Sequence, residues 1–95
     1  MYDGRIQYYE VTVSFAEIAA ATSAEQSVTV SGVAPPDIVL AVNKPTAFDV
    51  GTGISHSRVS AVDTIKVNWY NAKAAGAVTP TASEKYVFAV MKRQP

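Results

Sequence analysis

The sequence predicts an all-β fold: one small antiparallel β-sandwich or barrel-like domain of about six strands, with a single short helical turn. Three observations carry this. Runs of strand length recur along the chain at the spacing typical of such folds. The first run alternates with period two, placing Tyr9, Val11, Val13 and Phe15 on one face and Tyr8, Glu10 and Thr12 on the other. Breaks rich in Gly, Pro, Asp and Ser separate the runs, and the 95 residues suffice for one domain, residues 1–95.

The elements follow in order. IQYYEVTVSF is a half-buried strand. AEIAAATSAEQ is alanine-rich, and Ser14 stands three residues before Glu17 as in a capping box. One or two helical turns are expected there, with Ile18 turned inward and a polar connection from Thr22 to Gln26. SVTVSG is a short strand with Val28 and Val30 inward, and Pro35-Pro36 breaks the chain after it. DIVLAVN is apolar at every position from Ile38 to Val42. That pattern suits a central strand covered on both faces, or one covered by a neighbouring subunit. ISHSRVS and TIKVNWY form a hairpin around Ala61-Val62-Asp63, and Asp63 is placed to accept backbone N–H bonds. KYVFAVMK is the last strand. The candidate core is Val13, Phe15, Val30, Leu40, Ile65, Val67, Trp69 and Phe88.

Composition removes most chemistry. With no cysteine there is no disulfide, thiol nucleophile or thiolate metal site. One histidine among scattered carboxylates makes no metal cluster, so no metal or cofactor is expected. Zero formal net charge and no basic face argue against nucleic acid. MYDGRIQYYE lacks the order of a signal peptide and no run is long enough to span a bilayer. Synthesis in the cytoplasm without a membrane partner is expected. The charge is divided, however. Residues 1–37 hold five acids against Arg5, net −4, and residues 38–95 hold seven bases against three acids, net +4. Either strands of the two parts compensate each other, or subunits meet head to tail.

His56 is flanked by Ser55 and Ser57, but successive residues of a strand point to opposite faces, so no Ser–His dyad is expected. Trp69, Tyr70, Tyr86 and Phe88 could form a sugar-stacking platform, yet alternation leaves only Tyr70 outward. The chain reads as a non-enzyme.

The series SAEQSVTVSG, DIVLAVNKPT and GISHSRVSAVDTIKVNWYNAKAAGAVTPT resembles a small all-β family of tailed-bacteriophage virions, across about residues 12–90. Arg58-Val59-Ser60-Ala61 leading to Asp63-Thr64, and Ala77-Val78-Thr79-Pro80 further on, are the most specific pieces. The resemblance implies a virion structural protein, a capsid decoration (cement) protein carried as a homotrimer on the outside of the shell, with the major capsid protein as partner. A receptor- or carbohydrate-binding module of a tail or head fibre is the alternative. On the cement reading, Met1–Gln7 and Lys92–Pro95 are candidate flexible arms, and Tyr2, Arg5, Tyr8, Tyr9, Lys92 and Arg93 are candidate contacts with capsid or sister subunits.

Overall fold

The structure, a computed structural model, describes residues 2–93, with Tyr2 and Asp3 described by their backbone alone. Six strands run in chain order: β1 (Tyr2–Val13), β2 (Thr22–Thr29), β3 (Ile38–Asn43), β4 (Thr52–Ala61), β5 (Thr64–Asn71) and β6 (Glu84–Arg93). They form two three-stranded sheets ordered β1-β6-β3 and β2-β5-β4, and every pairing is antiparallel. The first sheet therefore takes its middle strand from the far end of the chain.

The core grows from period-two alternation on the two middle strands. β5 turns Ile65, Val67 and Trp69 inward, and β6 turns Tyr86, Phe88 and Val90 inward. Phe15, just past the end of β1, joins them: its ring meets Trp69 at 5.2 Å and Tyr86 at 5.1 Å, both edge-on. Val28, Val30, Val33 and Ile18 complete the cluster, and Tyr9, Val11 and Val13 pack on it half-buried.

The expected helical turn is absent; residues 14–19 are irregular, with one isolated bridge from Ile18 to Val78. The reason is where the backbone bonds go. The Gln26 side-chain amide accepts from Ala16 N–H at 2.7 Å and donates to Ala16 C=O at 3.1 Å, and Ile18 exchanges both its backbone groups with Val78. A helix would need the Ala16 and Ile18 carbonyls and the Ile18 N–H for its own turns. Ser14 does not cap the segment; its hydroxyl accepts from Ser83 N–H at 2.9 Å. The polar stretch from Thr22 to Gln26 is likewise strand, the first part of β2 along β5.

β3 corrects a second expectation. Its unbroken apolar run suggested a strand covered on both faces, but β3 lies at the edge of its sheet, bonded to β6 alone. Val39 faces Val90 and Ala41 faces Ala89, so a bulge leaves Leu40 opposite no residue of β6. Leu40 is 48% exposed and is not a core residue. Nor are the chain ends separate arms over the described residues. Tyr2 pairs with Arg93 and Ile6 with Met91, so residues 2–7 and 92–93 extend the β1–β6 ladder; Met1, Gln94 and Pro95 lie outside the described residues.

Trp69 is 1% exposed at the centre of this cluster. Trp69→Ala is expected to cost about 3–5 kcal/mol, most of the stability of a domain this size. Denaturant unfolding followed by circular dichroism checks it, and the wild-type indole emission is expected well to the blue of free tryptophan.

Candidate binding surfaces

Polar side chains on the irregular connections fix how the sheets present themselves. Asn71, 1% exposed at the end of β5, donates to Ile18 C=O and Gly76 C=O at 3.1 Å each and accepts from Lys73 N–H at 3.0 Å. Lys44 and Glu84 pair at 2.9 Å with both side chains nearly buried, tying the β3–β4 connection to the start of β6. Hydrogen bonds from Thr46 and Lys44 hold the Glu84 carboxyl below its ordinary range against the opposing effect of burial. Asp63 accepts from Gly32 N–H at 2.9 Å through its side chain and from Val30 N–H through its carbonyl. The turn aspartate thus binds backbone N–H groups as expected, but those of the neighbouring β2–β3 connection.

Three of the ion pairs join acids of residues 1–37 to bases of residues 38–95: Glu10–Lys85, Glu25–Arg58 and Asp37–Lys92. Part of the division of charge is thus compensated inside the chain: between adjacent β1 and β6, across β5 from β2 to β4, and from the residue before β3 to β6. Lys92, expected at a partner's surface, points into this network: its ammonium sits 2.7 Å from Asp37 Oδ2 and 2.6 Å from Gly32 C=O, and lies over the Tyr9 ring. Arg93 N–H also donates to Asp37 at 2.9 Å. Tyr9 faces inward beside Lys92, whereas Tyr8 is 69% exposed on the opposite face of β1. Arg5 is exposed on β1, and the Tyr2 side chain lies outside the described residues.

The surroundings of His56 also depart from simple alternation. A bulge between Ile54 and His56 turns Ser55 and His56 to the same outer face of β4. Ser55 Oγ lies 3.2 Å from His56 Nδ1, and His56 Nε2 lies 3.7 Å from Glu25. The order Ser–His–Glu is that of a hydrolytic triad, but its members are committed elsewhere. Arg58 grips Glu25 with two bonds of 2.8 and 2.9 Å, and holds its carboxyl below the ordinary range. Asn68 Nδ2 donates to Ser55 Oγ at 2.6 Å. The group is a surface ladder across β2, β5 and β4. No cluster of three or more His, Asp or Glu suited to a metal occurs among the described residues.

The two outer faces differ sharply. On the β2-β5-β4 sheet the outward residues include Ser23, Glu25, Ser27, His56, Arg58, Lys66 and Asn68. On the β1-β6-β3 sheet, register aligns Ile6, Met91 and Ile38 in one row and Tyr8, Ala89 and Ala41 in the next; the following rows turn polar, with Glu10 and Asn43 flanking Val87 and Thr12 beside Lys85. Ile6 and Ile38 are each more than two-fifths exposed. Between β3 and β4, where the open edges of the two sheets meet, lies a groove of about 520 Å³ lined by Val39–Val42, Phe48, Thr52–Ser57 and Tyr70. Tyr70 lies flat over Gly53; a Cβ there would come within 2.6 Å of its hydroxyl.

No family model, curated protein or solved structure matches the chain.

The Asp37 node gives a pH test. Burial pushes its carboxyl up, but bonds from Arg93 N–H, Lys92 and Ala34 N–H outweigh that and hold it below the ordinary value of 3.8. A depressed folded pKa contributes stability that is fully present above the unfolded value and is lost as pH falls through the folded one. Asp37→Asn is therefore expected to lower the melting midpoint at pH 6–7, and the gap from wild type is expected to close as pH falls below about 3.8. Paired thermal melts across this range check it.

Proposed function

We propose that this chain is a structural protein of a tailed-phage virion: a capsid decoration, or cement, protein. It folds as a β-sandwich, assembles as a homotrimer and braces the major capsid protein from outside the shell, after synthesis in the host cytoplasm. The observation that carries the assembly half of this reading is the apolar patch of the rows Ile6–Met91–Ile38 and Tyr8–Ala89–Ala41 on the outer face of the β1-β6-β3 sheet, set against a polar outer face on the other sheet. Contiguous exposed apolar surface of this kind marks an interaction site, and on this reading sister copies cover Ile6, Tyr8, Ile38 and Met91. The virion half rests on the resemblance carried by the Arg58–Thr64 and Ala77–Pro80 segments. Many identical clamps on one lattice add up through multivalency even where each contact is weak.

The sugar-platform alternative has less behind it. Trp69, Tyr86 and Phe88 are core residues, and Tyr70 is laid down over Gly53 rather than standing free.

The test adds purified protein to undecorated shells and measures bound copies against the major capsid protein, together with shell survival on heating. Binding in numbers comparable with the capsid protein, and greater heat resistance, are expected. In sedimentation, wild type is expected as a trimer and Tyr8→Glu as a folded monomer. A wild-type monomer that ignores shells and binds a glycan array would overturn the reading.

A further inference from the structure

Of the four edge strands, three carry charged side chains of the kind that discourage a passing strand from adding on: β1 has Arg5 and Glu10, β2 has Glu25, and β4 has Arg58. β3, Ile-Val-Leu-Ala-Val-Asn, has none. Its open edge faces the groove between the sheets, and β4 forms the opposite wall. Both walls are strand edges hydrogen-bonded on one side only, so the groove offers main-chain donors and acceptors along its length. No Asp, Glu, Lys or Arg lines it. Ser57 Oγ is buried there and has no hydrogen-bond partner among the described residues. Of the other lining polar groups, Ser55 is bonded to Asn68, Thr52 to Asp49 C=O, and His56 stands beside Glu25. The volume falls within the range of about 300–1,000 Å³ typical of ligand sites.

We propose that this groove receives an extended, uncharged segment of the shell protein, which adds to β3 as an extra strand and bonds Ser57 Oγ. This rests on the cement reading and names its point of attachment. Charge selects the occupant: a neutral lining would leave the charges of an acidic or basic segment desolvated and unpaired. The walls select a peptide over a sugar, because two open strand edges offer main-chain groups whereas a sugar needs convergent polar side chains, and Ser57 is the one lining residue with a buried side-chain polar atom lacking a partner among the described residues.

The experiment uses the full chain and undecorated shells. Leu40→Glu puts a charge at an exposed position opposite no β6 residue, so the fold and the oligomer mass are expected to hold. Binding to shells is expected to fall about tenfold or more. Ser57→Ala is expected to weaken binding about threefold to tenfold through loss of one hydrogen bond. In wild type, hydrogen exchange at Ile38–Asn43 is expected to slow when shells are added. Equal binding by both variants, with β3 exchange unchanged, would overturn the groove assignment while leaving the cement reading standing. A change of oligomer mass in Leu40→Glu would also overturn it, since the groove would then be a contact between copies. Failure of the wild type to bind shells would take down the parent reading and this one together.

Discussion

The structure depends on two middle strands facing each other. β5 and β6 each commit one whole face to the interior, and Phe15 touches Trp69 from one and Tyr86 from the other. The sheets are not joined by strand pairing among the described residues, so this apolar contact is what makes one body of two three-stranded ribbons. Each ribbon buries its apolar face against the other. The remaining strands add to β5 or β6 and take their orientation from them.

Polar groups then fix what burial leaves undetermined. Apolar contact is non-directional and would tolerate several placements of the connections. Asn71, Asp63 and the Lys44–Glu84 pair each bind backbone or charge on a connection distant in sequence, so each selects one placement. The Asp37–Lys92 pair does the same for the end of β6. In a weakly charged chain, the two most buried ion pairs, Lys44–Glu84 and Asp37–Lys92, are the ones that hold connections.

The strands and most of the core were legible in the sequence because alternation acts locally: β1, β5 and β6 each show it plainly, and Trp69 and Phe88 fell where it put them. Leu40 was misplaced because an unbroken apolar run reads the same for a doubly covered strand and for an edge strand with an exposed apolar face. Only the neighbours of β3 distinguish the two, and neighbours are set by topology. The helical turn failed for a related reason. Local propensity around Ala16–Ala21 favoured it, but Gln26 and Val78 took the backbone bonds from a distance. The grouping of Ser55 with His56 depends on one bulge, which leaves no mark in residue type. Asn71 gave one faint signal: a polar residue continuing the inward series Ile65, Val67, Trp69.

The strand order also sets a timetable during synthesis. The β2-β5-β4 sheet is contained within residues 22–71, so its pairing can begin while the remainder of the chain is still on the ribosome. The other sheet cannot. Both β1 and β3 bond to β6 and not to each other, so the first strand made waits unpaired until residues 84–93 emerge. During that interval the apolar sides of β1 and β3 have only the half-built core to lean on. Loop closure over almost the whole chain makes the last step slow relative to the hairpin. A nascent chain stalled before β6 would therefore hold one finished sheet and two sticky, unmatched strands, the state in which this fold is most open to chaperones and to aggregation.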